Sequence, residues 1–138
     1  MKKYWSLVLV LSVAILPILL LSCSSSGSGG GGGDGAPSLS NFNHPSTVNR
    51  GQTYIYSADF SDPEGDIETV YNTDSWNGGS VTNSVSAAEA GISGTSGTIT
   101  VVYPISPYAA TGTHHVTIWV EDAENHTSNR LEADIQVR

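Results

Sequence analysis

The chain has 138 residues, with 5 Lys and Arg against 13 Asp and Glu, a formal net charge of −8 and a single Cys. That length suits one ordinary domain and argues against two. Five basic residues cannot make a phosphate-tracking patch, so no nucleic-acid partner is expected, and one Cys excludes a disulfide scaffold.

Residues 1–22 differ in kind from the rest. Lys2 and Lys3 make a positive start, and Leu7 to Leu21 is an apolar run broken only by Ser12 and Pro17. The run is shorter than the roughly 20 residues a spanning helix needs. It is therefore expected to be a secretory signal peptide. It ends in Leu20-Leu21-Ser22-Cys23, which resembles the bacterial lipobox: Leu three places before Cys, a small residue next to it, then Cys. The resemblance implies a lipoprotein. Cys23 would carry a diacylglycerol thioether, cleavage would fall just before it, and the freed amine would take a further acyl chain such as palmitate. Two or three such chains pass the threshold for stable anchoring. Ser24 follows where inner-membrane lipoproteins of this kind commonly have Asp, which points to the outer membrane.

Residues 24–36 read SSSGSGGGGGDGA, a flexible, disordered Gly/Ser tether with nothing large enough to pack. Such a coil spans about 20 Å on average and about 50 Å at full stretch, enough to hold a domain just off a lipid surface. From Cys23 onward three arginines stand against all 13 acidic residues. That charge repels anionic headgroups and leaves anchoring to the lipid chains.

Residues 37–138 are rich in Val, Ile and Thr and nearly free of Leu, a composition suited to a pleated sheet. Tyr54, Tyr56, Ala58 and Phe60 alternate with polar neighbours, as do Ile99, Val101 and Tyr103, then Val116, Ile118 and Val120, then Leu131, Ala133, Ile135 and Val137. Turn residues separate these runs: Asn49-Arg50-Gly51, Asp62-Pro63-Glu64-Gly65, Asn77-Gly78-Gly79 and Gly94-Thr95-Ser96-Gly97. Seven strands are predicted, over 38–48, 52–61, 67–76, 79–86, 97–104, 113–122 and 128–137, with one helical turn at 87–90. Seven short strands in about 100 residues define an all-β, immunoglobulin-like β-sandwich.

The segment from Gly112 to Asn125, GTHHVTIWVEDAEN, resembles the last-but-one strand and following turn of bacterial immunoglobulin-like, cadherin-like and polycystic-kidney-disease-repeat domains. Phe60 to Ile67, FSDPEGDI, resembles the acidic turn after their second strand. His114 stands in place of the usual Tyr and Glu124 in place of the usual Gly. The resemblance implies a fold superfamily rather than an activity. In cadherin-like relatives comparable inter-loop acids bind calcium, which makes Asp62, Glu64, Asp66 and Asp122 candidate Ca2+ ligands. The same residues fit a plain turn in which Asp side chains cap backbone N–H groups.

His114 and His115 are strand neighbours and point to opposite faces, so His114 is expected in the core edge rather than in a chelating pair. His126 is a loop residue with no evident partner. Trp119 lies at an outward position and Trp76 at a turn. Each is a candidate partner-binding anchor or a cover for the adjoining strand. No nucleophile elbow, zinc-protease helix motif or phosphate loop is present, so no catalytic residues are expected. The sequence thus predicts a lipid-anchored envelope protein whose single domain binds or adheres to an envelope protein or glycan, the alternative being a structural accessory lipoprotein of a larger envelope or secretion complex.

Overall fold

A computed structural model describes residues 35–138. The signal peptide, Cys23 and all but the last two residues of the tether lie outside the described residues. Eight strands are present: β1 (Ser38–Asn43), β2 (Thr47–Val48), β3 (Thr53–Ser61), β4 (Ile67–Trp76), β5 (Gly79–Ser86), β6 (Ser96–Pro104), β7 (Gly112–Asp122) and β8 (Leu131–Val137). They form a three-stranded sheet, β1-β3-β6, facing a five-stranded sheet, β2-β8-β7-β4-β5. All pairings are antiparallel except β2 with β8.

The additional strand comes from dividing the predicted first strand. Asn41 takes a left-handed backbone (φ 51°) where the β1–β3 register slips, and Pro45 has no N–H to offer a ladder. The chain therefore leaves β3 and crosses to the other sheet, where Gln136 and Arg138 donate to the carbonyls of Ser46 and Val48. The last strand starts at Leu131 rather than 128. Asn129 turns aside and uses its side-chain amide as a substitute strand partner, accepting from Leu39 N–H at 2.8 Å and donating to Leu39 C=O at 3.0 Å. The helical turn at 87–90 is a single turn closed by a capping box. Ser86 N–H and hydroxyl donate to the Glu89 carboxylate, and Glu89 N–H returns to the Ser86 hydroxyl.

The core follows the alternation read from the sequence. Tyr56, Phe60, Ile99, Val116, Ile118, Val120 and Ile135 are all buried. Val101 and Tyr103 differ: both are only partly buried, because β6 is the last strand of its sheet and has no neighbour on its outer side.

The strand registers define two ends. Pro37, the 62–66 turn, the 87–95 segment and the 123–130 loop gather at one, while the 44–52 segment, the Trp76–Gly79 hairpin, the 105–111 loop and Arg138 gather at the other. Ile118 is 1% exposed, so Ile118→Ala is expected to cost about 2–5 kcal/mol in chemical denaturation. Val102, 60% exposed, should tolerate Ala within about 0.5 kcal/mol.

Candidate functional site

At the end where residue 35 enters, the four predicted acids do come together, but the carboxylates of Asp62 and Asp122 are turned inward while Glu64 is exposed. Asp62 is fully buried, with Oδ2 accepting from Asp66 N–H at 2.8 Å and Ile67 N–H at 3.1 Å, and Oδ1 from Glu64 N–H at 3.4 Å. Gly65 makes this turn possible: its φ is +72°, and a Cβ there would sit 3.2 Å from the Gly94 carbonyl carbon. Asp122 is equally buried. Its Oδ1 accepts from Glu124 N–H at 2.9 Å and His126 N–H at 2.8 Å, and its Oδ2 from the His126 ring at 3.0 Å. Ala123 N–H donates to Asp66 C=O and joins the two loops. His126, unpartnered in the sequence view, is thus the partner of Asp122. The missing Gly is replaced by Asn125, which holds the left-handed position (φ 68°).

This is the geometry of two capped turns. Among the described residues no group of three or more His, Cys, Asp or Glu is arranged to hold a metal ion. Burial works against ionised Asp122, but the His126 and Glu124 donors outweigh it and hold the carboxyl below its ordinary value. Glu64 moves the other way: the charge of Glu124, then loss of water, then Asp66, Asp122 and Asp62 push its carboxyl up.

The two strand histidines separate as expected. His115 faces outward to Asp134 at 2.8 Å and Glu132 at 3.6 Å. His114 is buried, with Nδ1 2.9 Å from an Asp74 carboxylate oxygen and Nε2 2.9 Å from Ala110 C=O, so that both ring nitrogens are engaged. Trp76 stacks on His114 with centroids 5.3 Å apart. Trp119 lies on the outer face of the five-stranded sheet. Tyr71 stacks on it from β4 at 5.1 Å, and the Arg130 guanidinium, from the β8 side, lies 3.9 Å from the ring centroid. With both ring faces covered, Trp119 matches the cross-strand cover rather than an open platform.

Trp76 and His114, named in the sequence, share a concavity with residues that were not, Asp74, Val81 and Tyr108 among them. At the end opposite residue 35, a cavity of about 480 Å³ is lined by Trp76, Val81, Tyr103, Tyr108 and the Asp74–His114 pair. Tyr108 is 91% exposed on the 105–111 loop. Asp74 could have been found: it shares the inward parity of Val70 on β4, where a polar residue is out of place. Tyr108 sits in a loop with no periodicity and carried no such signal.

No family model and no curated protein matches the chain. Among solved structures, the chain is similar to a Niemann-Pick type C2 protein from the Japanese carpenter ant, with a TM-score of 0.56 and 9% identity over 77% of this chain and 96% of that one. It is also similar to the fibronectin(III)-like modules of Clostridium thermocellum CbhA, with a TM-score of 0.51 and 19% identity over 75% and 47%. The PKD domain of an M14-like peptidase from a Thermoplasmatales archaeon aligns with a TM-score of 0.46 and 19% identity over 74% and 92%. The chain folds as an immunoglobulin-like β-sandwich.

Asp122→Ala would strand three donors and is expected to destabilise the domain by about 3 kcal/mol at neutral pH. Because its folded carboxyl lies below 3.8, this contribution is complete above that value and vanishes as pH falls through the folded one. Thermal unfolding across pH checks both statements. The capped turns need no ion, so the midpoint is expected to be equal in chelator and in millimolar calcium. A calcium-specific rise would restore the cation site.

Proposed function

We propose that this chain is a lipid-anchored protein of the bacterial cell envelope, held at the outer membrane through Cys23, whose immunoglobulin-like domain is a non-catalytic binding or adhesion module for an envelope protein or glycan. One observation supports this most. The chain enters the domain at the end carrying the acidic turns, while the aromatic cavity with Trp76 and Tyr108 lies at the opposite end. A tether fixed at Cys23 would present that cavity away from the lipid. The acidic end repels anionic headgroups, which favours a domain standing off the surface.

A second reading, the accessory subunit of a larger envelope or secretion complex, is favoured by β5 and β6. Each has one unpaired edge among the described residues and could accept a partner strand.

Cys23→Ser is expected to move the protein from the detergent phase to the aqueous phase in a detergent partition. Unchanged membrane association would reject the lipid anchor. For the domain, Tyr108→Ala should leave stability unchanged, since the side chain is exposed. It should weaken capture of the partner from detergent-solubilised envelopes at least about tenfold. Undiminished capture would move the binding surface to the strand edges.

A further inference from the structure

The inner face of β5 is only loosely covered, with Asn83 Nδ2 donating to the Tyr103 hydroxyl of β6 at 3.5 Å. Val81, Asn83 and Val85 pair in register with Asp74, Asn72 and Val70 and so share the inward face of β4, yet β5 is exposed along its whole length. The facing sheet stops at β6. Between β5 and β6 the sandwich opens into a cleft of about 350 Å³, with Val70, Val85, Val101 and Val102 on its walls and Tyr56 and Asn72 in its depth. That volume falls in the range of small-molecule sites, about 300–1,000 Å³.

The deep end of the cleft is polar and unsatisfied. Asn72 is 6% exposed and Tyr56 1%. Neither the Nδ2 nor the Oδ1 atom of Asn72, nor the Tyr56 hydroxyl, makes a hydrogen bond of good geometry, although the Asn72 amide lies close enough to the Tyr56 phenol to pull it down against its burial. Buried amides are almost always paired, and here a donor, an acceptor and a hydroxyl lie shielded from water beneath the floor of a largely apolar cleft. Burial raises the Tyr56 phenol well above its ordinary value, so it stays a neutral hydroxyl. No Lys, Arg, Asp or Glu lines the cleft. One water takes up about 30 Å³, a small part of the space.

We propose that this cleft binds a small neutral amphiphile, with its apolar body against the valines and a head that both donates and accepts, a primary amide or a hydroxyl, bonded to Asn72 and Tyr56. A charged head is disfavoured because nothing in the cleft would pair with it. The inference is independent of the lipid anchor and of the Tyr108 cavity.

The test is to titrate the isotope-labelled full chain with octanamide and follow the side-chain amide resonances of Asn72. A saturable shift is expected. Acetamide, which lacks the tail, and N,N-dimethyloctanamide, which lacks the donor, should bind at least about tenfold more weakly. Asn72→Leu removes the open polar pair, so it should raise the thermal unfolding midpoint while losing octanamide binding. That combination separates loss of the site from loss of the fold. Val85→Trp, on the exposed wall, should block binding with the Asn72 resonances still in place. No saturable shift, as expected of a cleft holding water only, or undiminished binding in either variant, would overturn the proposal.

Discussion

Strands in a sheet lie about 4.8 Å apart, so a three-stranded layer is narrower than a five-stranded one by roughly 10 Å, and some inner face of the wider layer must stay uncovered. Here β1 sits near β7 and β8, which leaves the shortfall entirely at the β5 side. Much of the molecule follows from that offset. Val101 reaches the cleft instead of the core, Val85 faces solvent, and both cavities adjoin along the line where β5 and β6 touch only loosely. A further strand on the narrow sheet would have closed the cleft and buried β5.

The exposed opening coincides with polar residues in places that ordinarily hold apolar ones. Inward-facing β4 carries Val70, Asn72 and Asp74 in succession. Asp74 is satisfied by His114. Asn72 is not, and each buried polar group left unpaired costs about 1–3 kcal/mol. A domain of this size has only about 5–15 kcal/mol in hand, so such groups are costly features for the fold to keep. The Tyr71–Trp119–Arg130 stack on the outer face adds rigidity to the same sheet from the other side.

The two capped turns perform a different task. Asp62 and Asp122 each close a loop by accepting from its backbone N–H groups, and the Ala123–Asp66 bond ties one loop to the other. They define the end of the sandwich at which the chain enters. Glu64, left outside this network among four other carboxylates, carries the repulsion that remains, and its raised carboxyl records it.

The strand pattern, the turns and the burial of eleven of the fourteen residues picked out by alternation were legible in the sequence, because period-2 burial and Gly, Pro and Asp turn chemistry are local properties. The placement of Asp62 and Asp122 at one end was legible through the resemblance of their flanking motifs. Whether those carboxylates face an ion or their own backbone was not, since the same spacing serves both. One strand was expected over 38–48, straight through Pro45, and only the tertiary structure showed that the chain changes sheets there. The open cleft, the paired His114 and the unpaired Asn72 depend on which strands end up opposite one another. That arrangement is set by contacts between residues as far apart as Asp74 and His114, and alternation along a single strand carries no information about what lies across the core.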